Sequence, residues 1–165
     1  MRIDFYISPA DQDRFASSCE VVIRNVDRAT KAGTEQACKE ILEESLRQVP
    51  RDTGTLASTA FYSVQRRMVT KNYTYEGIVG YAGQSGFGMS YDRINPKSGA
   101  AASKYAVKVH EDLSAWHLNG GKAKFLEDPV REYGATRFKR VAETHWVNAI
   151  QLSDKGGTSI IPTIK

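Results

Sequence analysis

A helical period sustained over some thirty residues constrains this 165-residue chain more than any other feature. Val22, Val26, Ala29, Gly33, Ala37, Ile41, Leu42, Leu46 and Val49 recur at steps of three and four. Such steps place side chains on one stripe of a helix with 3.6 residues per turn. Charged residues from Glu20 and Arg24 to Glu44 and Arg47 fill the positions between. The pattern predicts one amphipathic helix from about Ser18 to Val49, about 45 Å long. Ala29, Ala32, Gly33 and Ala37 are small, so a neighbour can approach closely there. Gly33 costs about 1 kcal/mol against alanine in a helix interior, which close packing or a slight bend would explain. Pro50 ends the helix, because proline lacks the N–H that the ladder needs.

The flanking segments change period. Ile3, Phe5 and Ile7 alternate with Arg2, Asp4 and Tyr6, which predicts a strand stopped at Ser8-Pro9. After Pro50, Asp52-Thr53-Gly54 reads as a turn in which the aspartate bonds backbone N–H groups two residues on. Leu56–Val69 and Tyr73–Tyr81 are rich in Thr, Tyr and Val with a short link between them, an antiparallel hairpin. Residues 83–103 are dense in Gly, Ser, Asn and Pro and predict a long loop, mobile or engaged with a partner. Its Phe87, Met89 and Tyr91 are candidate partner contacts. "KYAVKVHE" alternates Tyr105, Val107 and Val109 against Ala106, Lys108 and His110, which predicts a third strand. "DLSAWHLNGGKA" follows as a loop. From Lys124 to Leu152 the helical period returns, with Asp128-Pro129 as its start signal and Phe125 and Leu126 as a staple. Gly156-Gly157 hinges a tail whose Ile160 and Ile161 suit strand addition to another chain.

The expected fold is therefore α+β: a small antiparallel sheet of three to four strands, packed by two long helices. Residues 1–152 form a single domain carrying the 83–103 loop, and residues 153–165 form an extended tail. No apolar run approaches the ~18 residues of a membrane span, and residues 1–14 read as no signal peptide, so synthesis in a cytoplasm is expected. Cys19 and Cys38, on one helix, lie too far apart for a disulfide and are expected as free thiols. The net charge of +4 permits contact with nucleic acid without demanding it. Only "QRRMVTK" and "RFKR" cluster positive charge, each readable as a solvated face.

His110, Glu111 and His117 are the one constellation with a chemical look. A zincin needs both histidines four residues apart on one helix. Here the spacing is seven, on an expected strand and loop, with no third ligand evident. No phosphate loop, nucleophile elbow or dinucleotide fingerprint is present. Neither an enzyme nor a cofactor or metal is expected. His110 and Glu111 read as strand-end residues, and Trp116 and His117 as loop residues, with Trp116 an anchor in the core or at a subunit contact.

Three segments in order carry a resemblance. They are Pro50, Asp52, Thr53, Gly54 and Leu56 after the first helix; Tyr105, Ala106, Val109, His110 and Glu111 in the middle; and Ala123, Lys124, Phe125, Leu126 and Pro129 opening the last helix. Together these resemble a family of tailed-bacteriophage virion proteins, described as minor capsid, head–tail connector or tail-completion (neck) proteins. The resemblance implies a structural subunit of a homo-oligomeric ring, six copies or alternatively twelve, between portal side and tail. Its partners would be the neighbouring neck proteins, and genome DNA would pass through the lumen without specific binding. The basic clusters are expected outside that lumen. A ring uses a heterologous interface, one face of a subunit against the opposite face of the next. The alternatives are a basic nucleic-acid-binding module, through "QRRMVTK" with Tyr73 and Tyr75, and a metal-dependent hydrolase on His110, Glu111 and His117.

Overall fold

The computed structural model describes residues 8–69, 72–83, 90–114 and 120–154. Helix α1 spans Pro9–Gln48, about 60 Å at 1.5 Å per residue. A short 3₁₀ turn at Ala57–Thr59 leads to β1, Ala60–Val69, and β2, Asn72–Tyr81. Helix α2 is Ala102–Glu111 and helix α3 is Glu127–Asp154. The class is α+β.

Helix α1 begins well before the expected Ser18. The Ser8-Pro9 pair that reads as a strand stop is also a helix start. Ser8 Oγ accepts from the Asp11 N–H at 3.2 Å, and Pro9 occupies the first turn, where its missing donor is not needed. The strand expected over residues 2–7 lies outside the described residues.

The sheet among the described residues has two strands, paired antiparallel from Ala60↔Tyr81 to Val69↔Asn72. It lies along α1. Tyr81 Oη and Ser45 Oγ are 2.8 Å apart at one end, and the Tyr75 hydroxyl donates to Asp27 at 3.1 Å nearer the other. Between them, the backbone of Gly77 rests on α1: a Cβ there would stand 2.3 Å from Cys38 Sγ. A glycine within a strand often marks such a close approach. Burial first, and then the nearby Glu35 carboxylate, push the Cys38 thiol pKa up. Both cysteines are free.

Helix α3 runs antiparallel to α1, since Trp146 Nε1 donates to Thr30 at 2.9 Å while Arg137 meets Glu40 at 3.6 Å. The small stripe does what its composition suggests. A Cβ on Gly33 would lie 3.4 Å from the Ala142 Cα, and Ala29, Ala37, Ala142 and Ala149 are buried.

The expected third strand is a helix. Ala102, Tyr105, Ala106 and Val109 stand at i, i+3, i+4 and i+7, and this set faces the core, while Val107 is 73% exposed. The segment satisfies both periods, and two alanines together with an external cap decide for the helix. That cap belongs to the expected loop. Asp92 accepts from the backbone N–H of Ser103 at 3.0 Å and from its hydroxyl, which holds the Asp92 carboxyl below the usual range. The Ala102 N–H donates to the Arg93 carbonyl at 2.8 Å, and Ile94 bridges Ala101. Residues 90–103 are thus pinned to the domain, against the expectation of a mobile loop.

Gly77→Ala should destabilise the protein by about 1–3 kcal/mol, the usual penalty of overpacking. Adding Cys38→Ala, which removes the opposing sulfur, should make the double variant cheaper than the sum of the singles in urea unfolding.

Candidate functional site

The three helices meet at a junction built from backbone polar groups. The last carbonyls of a helix have no partner within it. At the end of α1, the Gln48 carbonyl accepts from the Lys122 N–H at 2.9 Å, and Arg51 donates to the Leu46 carbonyl at 2.9 Å. At the end of α2, the His110 carbonyl accepts from the Lys124 N–H at 2.7 Å. One short segment, residues 121–124, therefore closes two helix ends. It can do so because Gly121, at φ +94°, passes against Pro50: a Cβ there would stand 2.5 Å from the Pro50 Cα. Lys124 is also left-handed, at φ +58°.

Phe125 follows and is 2% exposed. It packs in a core with Val49, Leu56, Ala82 and Ala102, flanked by Tyr105, Ala106, Val109 and Leu126. The Tyr81 and His110 rings meet it edge-on at 5.1 and 5.0 Å. Pro129 is fully buried in the first turn of α3. Residues from all three motif segments, remote in sequence, thus surround or adjoin one aromatic ring.

His110 serves this junction as a cap. Its Nε2 accepts from the Glu127 N–H at 3.3 Å, at the start of α3. With Nε2 accepting, Nδ1 carries the proton and donates to Glu111 Oε1 at 2.8 Å. The cap expected of Asp128 is thus supplied by His110, and Asp128 instead pairs with Lys122 at 2.6 Å and Arg131 at 3.1 Å. Lys124 pairs with Glu111 and, at 2.9 Å, with Glu127. Lys124 first, then His110, hold the Glu111 carboxyl below its ordinary range, and the same carboxylates raise Lys124. Both His110 nitrogens are engaged in structure. His145 lies on α3, bonded to Gln36 at 2.9 Å. Among the described residues no three His, Cys, Asp or Glu side chains converge as a metal-binding group.

The turn after α1 differs in detail from its expectation. Thr53 Oγ1, rather than Asp52, takes the Thr55 N–H, at 3.4 Å, and Gly54 supplies φ +75°. The Asp52 carboxylate reaches across to Lys97. Tyr91, expected at a partner surface, stacks within the chain on Phe61, with ring centroids 4.7 Å apart. Phe87, Met89, Trp116, His117, Ile160 and Ile161 lie outside the described residues. Three of the four arginines of the basic clusters face carboxylates: Arg66 on Asp27 at 3.6 Å, Arg67 on Glu76 at 3.4 Å, and Arg137 on Glu40 at 3.6 Å.

Beside the junction an apolar groove of about 460 Å³ opens between β2 and α3. Ala37, Cys38 and Ile41 of α1 form its floor, residues 77–79 one wall, and Val130 and Phe138 part of the other. Consecutive residues of a strand point to opposite faces. A wall made of three in a row therefore presents the backbone edge of β2. Sequence reasoning missed this groove, because strand and helix periods show which face is buried but not where two elements stand apart. It missed Asp92 too, whose target lies eleven residues on. Gly77, like Gly80, was detectable as a glycine amid β-branched and aromatic residues.

No family model, curated protein sequence or solved structure matches this chain.

Phe125→Ala should lower stability by about 3–5 kcal/mol, the range for a large buried aromatic, measured by denaturant titration. Glu111→Gln gives a pH test. Its folded pKa is depressed, so the wild-type advantage should be complete at neutral pH. That advantage should shrink below about pH 4.3, the ordinary glutamate value, and vanish below the folded pKa. An advantage that persisted in acid would remove Glu111 from the junction.

Proposed function

We propose that this chain is a structural virion protein of a tailed phage, one copy of a ring in the neck that joins the portal side of the head to the tail. The observation that carries the reading is the convergence on Phe125. The Pro50–Leu56, Tyr105–Glu111 and Phe125–Pro129 segments, which bear the family resemblance, build one scaffold. The polar groups of that scaffold, His110 and the backbone of residues 121–124 among them, close helix ends, a structural use that suits an assembly unit. The ring has six copies, with twelve the alternative. Its neighbours are the portal-side adaptor and the tail terminator or tube, and DNA passes through its lumen without specific contacts. The pairing of Arg66, Arg67 and Arg137 with carboxylates fits a surface that does not grip phosphate, since each phosphate contact displaces counterions and strengthens retention. In the assembled ring the two-stranded hairpin is the base of a three- to four-stranded sheet completed between copies.

Sedimentation and negative-stain imaging of the purified protein test this. A closed ring is expected, alone or on mixing with the product of the adjoining neck gene. A persistent monomer that binds duplex DNA with a steep salt dependence would overturn the reading.

A further inference from the structure

We infer that residues 2–7 of one copy add as an extra strand to the open edge of β2 in the next copy, laying their apolar side chains into the groove between β2 and α3. The partner, a second copy of this chain, rests on the ring reading above; the segment and the edge rest on geometry.

The edge comes first. β2 pairs only with β1 among the described residues, so one N–H and one C=O of every second residue face away from that ladder. Open edges are ordinarily blunted by lysine, arginine, proline or bulges, because they template pairing. The outer strand β1 carries Arg66 and Arg67. β2 reads "NYTYEGIVGY", with Glu76 its single charge and no proline, and its register with β1 is unbroken. Its edge borders an apolar trough floored by Ala37, Cys38 and Ile41. An added strand lies about 4.8 Å away, and a side chain on every second residue would point toward that floor.

The occupant follows from pattern and reach. Ile3, Phe5 and Ile7 supply one apolar face at strand spacing, with no proline in the run. They cannot serve their own groove. Thr34, the groove residue of α1 nearest its start, lies about 39 Å along the helix from Ser8 at 1.5 Å per residue. Seven fully extended residues span at most about 25 Å. Even folded straight back along α1, residues 1–7 fall short of the groove floor, and of its Tyr75 rim, which is bonded to Asp27 about 28 Å along the helix from Ser8. The start of α1 is open to solvent: residues 10–17 are all exposed, with Phe15 at 63%. The helix is an arm that presents its leading segment to another molecule. The competing occupant is this chain's own residues 158–164, which Pro162 interrupts as a strand.

Cysteine pairing tests the inference. In a Cys19→Ser, Cys38→Ala background with unchanged circular dichroism, one chain carries Phe5→Cys and another Val79→Cys, which shares the groove-facing side of β2 with Gly77. Mixing under mild oxidation should give a disulfide-linked pair of the two chains. Deleting residues 2–7 should reduce the oligomer to a folded monomer, and a synthetic peptide of residues 1–8 should bind that monomer one to one. Several outcomes overturn the exchange: a link formed only within a doubly substituted chain, an oligomer that survives the deletion, peptide binding only after residues 158–165 are removed, or a full-length protein that stays monomeric. An intact ring with no cross-link overturns the exchange and leaves the neck reading standing. Cross-linked oligomers that never close into a ring overturn the neck reading and leave the exchange standing.

Discussion

Burial of the Phe125 ring at the meeting point of three helix ends is the contact on which the other packing depends. Alone it stabilises by about 1.5–3 kcal/mol relative to an exposed ring, yet its placement decides more than that. To seat it, residues 121–124 must cross the ends of α1 and α2, and in crossing they satisfy carbonyls that would otherwise be orphaned. Gly121 permits the crossing and Pro50 lies beneath it. His110 then caps the start of α3 while its ring packs on Phe125. Apolar burial and polar satisfaction are the same event here, so neither can be removed without the other.

The ion pairs surrounding the junction matter less. Lys124 with Glu111 and Glu127, and Lys122 with Asp128, each have at least one half-exposed partner, and such pairs contribute up to about 1 kcal/mol each and weaken with salt. They fix orientation where the chain turns. The same applies to Asp52 and Lys97, which tie the turn after α1 to the segment that caps α2. The domain is thus tightly joined at one end, while along one side β2 and α3 stand apart over an apolar floor. A subunit with one firm end and an open side is suited to assembly with copies of itself, which is the reading proposed.

Much of the fold was legible in particular residues. The 3-and-4 spacing from Val22 to Val49 gave most of α1, Leu126 to Leu152 gave most of α3, and the Thr- and Tyr-rich runs gave the hairpin, although its first strand starts at Ala60 rather than Leu56, after a 3₁₀ turn. The small stripe at Ala29, Gly33 and Ala37 foretold the close approach of Ala142. The failures were local ambiguities settled at a distance. Residues 104–110 alternate as a strand would, yet Tyr105, Ala106 and Val109 also lie on one helical face, and only the Asp92 cap and the Phe125 core distinguish the two. The start of α1 was placed late because Pro9–Ser17 has little apolar period, so its helicity rests on the Ser8 cap and on continuation of the ladder. His110 with Glu111 looked like chemistry because the residue types suit it; their partners, Glu127 N–H and Lys124, come from a segment thirteen or more residues away.

The sequence by itself determined which stretches form long helices and which pair as a hairpin, since those outcomes depend on periodic burial and on turn residues close along the chain. It also determined that the thiols stay apart, because helix rise sets their separation. Tertiary structure decided the fate of residues 102–111, the service of His110 as a cap, and the groove beside an open strand edge. Each of these depends on what stands across from a residue rather than on its neighbours in sequence, and hydrogen-bond partners and gaps between elements exist only once the elements are packed.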